Sequence, residues 1–395
     1  MTVLLALAVL APVQVIEIQD STVDRVAIQA VLPLPAMDPL VRASADVLAH
    51  VVTSDNDFYS GQEMRDLCVP GGQPKCYAMA DHMAIQLSVL PADTGAGMRM
   101  LAAMVSSARM EVPVMNQYLL TEPYRHKSVW SLALDSEDRA WDRLRASDIE
   151  DLYKRVFRPD NITVAAGGAL RPGVAQAAWD DASKNWRRQV ARPLRQAVPF
   201  KEYPQPYPSH VLELHGPEIM PSDPGLASKI LALVALGGGK SSSLFRVVRG
   251  DLALSYRQEA ALWPTKDGLV PRVLVQIRPR AVEQEAVELN DIRVALLADI
   301  AAWDSSVLER AQGFAGAMST NGMELGPLYF RPSAPLGPSI EDRTLLVAYW
   351  QMKTGAPWNG LAMADAFRSV DLGTLKAEAA GLVEVAIPVL HPREG

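Results

Sequence analysis

The chain has 395 residues, of which 49% are hydrophobic and 21% are charged, and its formal net charge is −7. This length and apolar content predict a globular protein with two domains rather than one core. The negative charge argues against a nucleic-acid-binding surface. No segment after the first dozen residues is apolar for long enough to predict an integral membrane span.

The N-terminal segment, MTVLLALAVLAP, is apolar enough for the core of a signal peptide. It lacks a basic n-region, since the first positively charged side chain is Arg25, and no clear cleavage site follows it. We therefore interpret residues 1–12 as a candidate leader. We expect a periplasmic or otherwise exported protein, with a cytoplasmic location as the alternative.

The first half of the chain predicts alternating strands and helices. Apolar stretches on both sides of a polar turn at residues 19–21 predict a hairpin of Val13–Ile18 and Val26–Leu32. The remaining predicted elements are helices at Leu40–Val52, Gly61–Leu67, Gly97–Met110 and Ser147–Phe157, and strands in the later part of Cys76–Leu90 and at Ile162–Ala166. Ser147 and Glu150 form a capping-box pattern at the start of the last helix.

Two cysteines, Cys68 and Cys76, flank the segment VPGGQPK. A tight turn would bring their sulfur atoms together, and in an oxidising compartment they would form a disulfide. The alternative is a pair of free, buried thiols. Their spacing and number exclude a CxxC-type metal site.

A linker is predicted between two domains. Residues 186–209 are rich in proline and charge and show little periodicity, so they separate a domain at 13–185 from one at 210–395. The second domain repeats the plan of the first. Its predicted elements are strands at Val211–His215, Gly268–Arg278 and Val383–Leu390, and helices at Gly225–Leu236 and Val282–Trp303, followed by two or three further helices.

The most informative stretch is LGGGKSSSLFRVVRGDLALSY, residues 236–256. Gly237, Gly238 and Gly239 end an apolar helix, and glycine there allows another backbone to come close. The serines that follow predict the cap of a short helix with Leu244, Phe245 and Val248 on its apolar face; Arg249 lies at its end, and Leu252–Tyr256 begins a strand. The tail GKS is similar to a P-loop, but that motif requires glycine where Val234 stands. A plain helix connection with a surface arginine and a packed tyrosine is the alternative.

This stretch resembles the C-terminal signature of the pitrilysin-type peptidases, the family of insulin-degrading enzyme and mitochondrial processing peptidase. The glycines, the serines, Leu244-Phe245, Arg249 and Tyr256 match its pattern, while Ser243 stands where the family usually has arginine. A second stretch, DIEDLYKRVFRPDNITVAAGG, is similar to the helix, turn and strand near the end of the family's N-terminal half. The resemblance implies an α+β fold of two homologous αβ halves, each a mainly antiparallel sheet with helices packed on one face. It also implies that Arg249 and Tyr256 bind a carbonyl of the substrate backbone.

Active members of that family carry a zinc-binding HxxEH motif on the first helix of the N-terminal half. His50 matches the first ligand, but Thr53 stands at the position of the catalytic base and Ser54 at that of the second histidine. Glu122 is the nearest candidate for the third ligand. One imidazole without a neighbouring carboxylate or second histidine predicts no zinc and no activated water in this chain.

The resemblance therefore implies a metal-free subunit of a heterodimeric zinc peptidase. It would supply substrate-binding residues to a homologous HxxEH-containing partner that carries the zinc, and the two chains would enclose a peptide. A structural scaffold with no role in cleavage is the alternative function. An active peptidase with an unusual metal site is a third hypothesis.

Overall fold

The computed structural model describes residues 13–35, 39–79, 81–113, 115, 143–187, 189–190, 192–194, 210–255, 257–277, 282–321, 325–326, 329–330, 339–385 and 387–391. The strands are β1 Val15–Gln19, β2 Val26–Pro33, β3 Lys75–Ala78, β4 His82–Val89, β5 Thr163–Gly168, β6 His210–His215, β7 Arg257–Pro264, β8 Leu269–Ile277, β9 Leu325–Gly326, β10 Tyr329–Phe330 and β11 Ile387–His391. The α-helices are α1 Pro39–Val52, α2 Gly61–Leu67, α3 Thr94–Ser106, α4 Ala146–Val156, α5 Val174–Ser183, α6 Leu226–Gly237, α7 Val282–Ala301, α8 Ser305–Asn321, α9 Ile340–Thr354, α10 Gly360–Arg368 and α11 Leu372–Val385. A short 3-10 helix spans Pro91–Asp93, and a π-helix spans Leu244–Asp251.

The two larger sheets have the same strand order. In the first half the order is β1-β5-β2-β4-β3, and in the second half it is β11-β6-β8-β7. The order β5-β2-β4-β3 therefore corresponds strand for strand, in chain order, to β11-β6-β8-β7, and all of these pairs are antiparallel. In addition, β1 pairs with β5 in parallel and forms one edge of the first sheet. The predicted α+β fold of two related, mainly antiparallel halves is confirmed.

The predicted hairpin between β1 and β2 is wrong, because β5 lies between these two strands. A methyl group on Gly168, which has a φ of +130°, would lie 2.1 Å from the carbonyl oxygen of Arg25. Glycine at the end of β5 therefore permits an approach that other residues would block. Alternation within β1 and β2 identified the strands, but it carries no information about which strand separates them.

The first sheet has helices of its own half on one face, as predicted, and its other face, for which no cover was predicted, is covered by a helix of the second half. Helices α1, α3, α4 and α5 of the same half pack on one face, where Ile28, Leu48 and Trp179 belong to one buried cluster. Helix α9, from the second half, covers the other face, and its Leu345 and Ala348 pack on side chains of β2, β4 and β5. Burial on both sides explains why β2 is almost continuously apolar.

The core of the second half forms around α6. This helix is buried along most of its length, including Ile230 and Leu236, and it contributes to one cluster with β7, β8 and the helices α7, α8, α10 and α11. A helix that is apolar on all sides requires neighbours on all sides. The position of α6 brings the glycine stretch at its end against β7.

Several predicted boundaries differ from the structure. The fourth helix begins at Ala146, and the Asp148 carboxylate accepts the backbone N–H of Arg145 at 2.9 Å, so Ser147 is not its cap. At the other end of the chain, α11 extends to Val385, so the closing strand begins later than predicted. Trp186 is buried in the core of the first half, and the centre of its ring is 6.2 Å from the centre of the Trp179 ring. The first half therefore extends beyond residue 185. Most of 188–209 lies outside the described residues, and the linker remains a prediction.

Cys68 and Cys76 are free, and the prediction that they lie close together is wrong. Along the same edge of β4, Cys68 pairs with Val89 and Cys76 pairs with Ile85. Four residues of strand separate these partners, which places the two cysteines roughly 13 Å apart, far beyond the span of a disulfide. The segment does turn at residues 69–72, where the Gly72 N–H donates to the Val69 carbonyl oxygen at 2.8 Å, but it then continues along β4 before it reaches Cys76. Burial raises the pKa of Cys68 to about 11 and also raises the pKa of Cys76.

Candidate functional site

The glycine turn, Gly237–Gly239, ends α6 and brings it against β7. A methyl group on Gly237 would lie 2.7 Å from both the Cβ atom and the backbone nitrogen of Ala260 in β7. Gly239 has a φ of +84°, in the left-handed region that favours glycine. A methyl group on Gly238 would lie 2.3 Å from the carbonyl oxygen of Val234, so all three glycines have a structural requirement, which agrees with the predicted close approach.

The π-helix Leu244–Asp251 follows this turn. It begins where the Ser242 hydroxyl oxygen accepts the backbone N–H of Phe245 at 3.3 Å, as the serine-capping prediction requires. Leu244 and Val248 are buried as predicted, but Val247 completes the apolar face and Phe245 is only half-buried. The wider winding is visible in the bond from the Leu252 N–H to the Val247 carbonyl, at 2.9 Å. Such π-helical turns are rare and occur frequently at functional sites.

Arg249 lies on the exposed side of the π-helix. Its guanidinium carbon is 4.8 Å from the centre of the Phe245 ring, an arrangement that holds a charged side chain near the surface through a cation–π interaction. Arg246 of the same helix pairs with Asp299 of α7 at 2.9 Å. The helix is therefore tied to its own half by Arg246, while Arg249 is presented at the surface.

The prediction of a strand at Leu252–Tyr256 is wrong for its described part. The residues after the π-helix are irregular, and Ala253 has a φ of +50°, which is uncommon for a residue with a side chain. The backbone turns there before β7 begins at Arg257. Tyr256 lies outside the described residues, so its pairing with Arg249 stays a prediction. Unusual backbone at a non-glycine residue is typical of positions where the surrounding structure imposes a local conformation.

A pocket of about 440 Å³ lies beside the glycine turn, between α6 and α8. Its apolar wall includes Val234, Ala311 and Phe314, and its polar side chains are those of Ser241, Ser242 and Arg310. This combination suits an apolar group that carries a polar or anionic end. No sequence pattern predicted the pocket, because α8 is distant from the glycine turn in the chain.

His50, Thr53 and Ser54 lie together at the C-terminal end of α1. His50 is exposed in the last turn, and the hydroxyl groups of Thr53 and Ser54 each donate to its backbone carbonyl oxygen at 3.0 Å. The same carbonyl oxygen also accepts the backbone N–H of Thr53 at 3.2 Å, so three donors converge on it where the helix ends. The residues at the positions of the base and the second ligand therefore terminate the helix.

This donor set does not fit the zinc that the resemblance would imply for an active member. Zinc in proteins is bound by imidazole, thiolate or carboxylate groups, and the hydroxyl groups of Thr53 and Ser54 belong to none of these classes. Among the described residues, no group of three or more His, Cys, Asp and Glu side chains is arranged to hold a metal ion. Glu122 lies outside those residues.

One buried polar cluster was not predicted from the sequence. It consists of Asp81, His82, Tyr349 and Lys353, which we call the interdomain cluster. Its members come from both halves of the chain, and no spacing pattern in the sequence connects them. The adjacent Asp-His pair at the start of β4 was the only local signal.

The comparisons with known proteins identify the fold. No protein-family model matches the chain, and no curated protein sequence matches it. A protease from Helicobacter pylori is similar with a TM-score of 0.73 over 95% of this chain and 94% of that chain, at 12% identity. A peptidase M16 inactive domain from Pseudomonas fluorescens is similar with a TM-score of 0.69 over 96% of this chain and 95% of that chain, at 14% identity. In the part of the chain that the structure describes, no helix is long and apolar enough to cross a membrane. Over nearly its whole length, the chain has the pitrilysin-like fold of the M16 peptidases.

Proposed function

We propose that this chain is a metal-free, substrate-binding subunit of a two-chain zinc peptidase. The observation that supports this most directly is the π-helical turn, which follows the glycine turn and presents Arg249 at the surface. The use of Thr53 and Ser54 to terminate α1 supports the absence of a catalytic role for the first helix. One similar structure is itself an inactive M16 domain, which agrees with a non-catalytic role.

In this proposal, the side chains of Arg249 and Tyr256 bind the same peptide carbonyl. An arginine guanidinium and a tyrosine hydroxyl both donate hydrogen bonds, and together they would orient the scissile carbonyl and stabilise negative charge on its oxygen. Zinc, expected in the homologous HxxEH-containing partner, would supply the hydrolytic chemistry. The residues of this chain would bind and position the peptide.

The pocket beside the glycine turn would contribute to the same binding surface. Its apolar wall would accept a side chain of the peptide, while Arg310 would favour a nearby carboxylate. Its wall includes Gly238, which lies in the turn that leads to the π-helix, so a peptide held in the pocket would lie next to the segment that carries Arg249.

The test begins with the partner. The tagged chain is purified from its native cell, and the co-purifying proteins are sequenced, with an HxxEH-containing homologue as the expected result. The two-chain complex is then reconstituted, and peptide cleavage is measured for Arg249→Ala and Tyr256→Phe. Loss of a donor to a developing oxyanion lowers turnover by about a hundredfold, or roughly 3 kcal/mol, so each variant should lose cleavage on this scale.

Arg246→Ala is the matched control, because Arg246 lies on the same π-helix and its ion pair with Asp299 is partly exposed. Such a pair contributes at most about 1 kcal/mol to stability, and the control complex should cleave normally. Assembly and the zinc content of the partner should be unchanged in all variants. Full activity of a complex carrying both Arg249→Ala and Tyr256→Phe would exclude the shared site and favour the structural scaffold.

The location of the complex is part of the same proposal. We propose a periplasmic or otherwise exported protein, and a cytoplasmic protein is the alternative. Cell fractionation with compartment markers distinguishes the two locations, and sequencing the N-terminus of the native protein shows whether residues 1–12 are removed.

A further inference from the structure

The interdomain cluster occupies the contact between the two halves. Asp81 precedes β4 in the first half, whereas Tyr349 and Lys353 lie in the last turns of α9 in the second half. The Asp81 carboxylate accepts from the Lys353 ammonium at 2.9 Å and from the Tyr349 hydroxyl at 3.2 Å. The side chains of Asp81 and Lys353 are only 3% and 4% exposed, so this ion pair is removed from water.

Lys353 also joins the cluster to the second sheet. Its ammonium group donates to the backbone carbonyl oxygens of Thr265 and Lys266, in the turn between β7 and β8. An ammonium group has three hydrogens, and each has an acceptor here, one in the first half and two in the second. Acceptors from both halves of the chain therefore determine the position of the Lys353 Nζ atom.

The far end of α9 has its own polar contacts. The Glu341 carboxylate accepts from the Ser88 hydroxyl at 2.7 Å, and Arg343 pairs with Asp20 at 3.0 Å. Between the two ends, Leu345 and Ala348 pack on small and branched side chains of the first sheet. Apolar packing is not directional, so the polar contacts at the ends decide where α9 lies on the sheet.

The cluster also has features that oppose stability. Burying two charges carries a large desolvation cost, and apolar residues of similar size frequently replace a buried ion pair without loss of stability. In addition, the Nδ1 atom of His82 lies 2.8 Å from Asp81, but its buried Nε2 atom has no hydrogen-bond partner among the described residues. A buried polar atom without a partner is unfavourable. Such a group is better suited to specifying one arrangement than to maximising stability.

We propose that the interdomain cluster is a latch that sets the angle between the two halves and restricts their relative motion. In this role Lys353 is a positioning residue, since it connects the start of β4 to the β7–β8 turn. The inference does not depend on the proposed peptidase function, because the latch belongs to the isolated chain.

The experiment measures orientation and stability separately. Spin labels are attached to cysteines introduced at Asp24 and Arg368, two exposed positions in different halves, after Cys68 and Cys76 have been replaced by alanine. The distribution of distances between the labels reports relative motion of the halves, and urea unfolding reports stability. All variants are made in the full chain.

Three variants are compared with the wild-type protein. Lys353→Met leaves Asp81 buried without its cation, and we expect a lower urea midpoint and a broader distance distribution. The combination of Asp81→Leu, His82→Phe, Tyr349→Phe and Lys353→Met removes the polar side chains of the cluster together, and we expect the midpoint to recover while the distribution stays broad. The control Lys229→Met breaks a partly exposed ion pair within the second half, and it should leave the distribution unchanged.

A wild-type distance distribution in the combined variant would overturn the proposal. If that variant does not fold, a double-mutant cycle of Asp81→Asn and Lys353→Met replaces it. A latch predicts a coupling of at least tenfold in the unfolding equilibrium constant, or about 1.4 kcal/mol. Additive effects in that cycle would also overturn the proposal.

Discussion

Gly237→Ala tests whether close contact between α6 and β7 requires glycine. The new methyl group would lie 2.7 Å from the Cβ atom and the backbone nitrogen of Ala260, whereas carbon atoms in favourable contact are about 3.5–4.0 Å apart. Neither atom belongs to a flexible side chain, so the helix and the strand must separate. Overpacking of this kind costs about 1–3 kcal/mol. Alanine favours a helix over glycine by up to about 1 kcal/mol, and subtracting this gain leaves a net destabilisation of up to about 2 kcal/mol.

The assay is urea unfolding followed by circular dichroism, with the free energy taken from the midpoint and the slope. Gly313→Ala is the matched control, because Gly313 lies within α8 and a methyl group there would meet no atom within 4 Å. The same substitution should therefore stabilise the protein at Gly313, by up to about 1 kcal/mol, and destabilise it at Gly237. Equal or higher stability of Gly237→Ala relative to wild type would refute the reasoning about close approach.

Three further predictions follow from described residues. Metal analysis of the purified chain should find no tightly held zinc, and one zinc per chain that is lost in His50→Ala would contradict this. Cys68 should react slowly with a thiol reagent at pH 8 and rapidly after unfolding, because burial raises its pKa to about 11; fast reaction of the folded chain would show that its thiol is accessible. The stability of the protein should depend on pH through Asp81. Burial alone would raise the pKa of Asp81, but His82 and Lys353 outweigh burial and lower this pKa below its ordinary value. The contribution of Asp81 is therefore present above the unfolded value of about 3.9 and is lost as pH falls through the folded pKa, so the stability difference between wild type and Asp81→Asn should shrink in acid.

The glycine turn and the π-helix that follows it show which information is local. Gly237–Gly239 were predicted to end a helix and to permit close approach, because the absence of a Cβ atom has the same consequence in any surroundings. The serines after them predicted a helix cap for the same reason, since a side-chain hydroxyl reaches a backbone N–H only a few residues away. The π-helical winding and the turn at Ala253 were not predictable, because they depend on how the segment packs against α7 and β7.

By itself, the sequence determined the α+β class, the repetition of two halves and most strands and helices, since periodicity and turn residues act over a few positions. Only the tertiary structure decided that β5 lies between β1 and β2, that Cys68 and Cys76 are separated along β4, and that α9 crosses to the first sheet. The interdomain cluster was likewise decided only by the tertiary structure. Asp81 and Lys353 are far apart in the chain, and the free energy of their contact depends on burial that only the packed halves create.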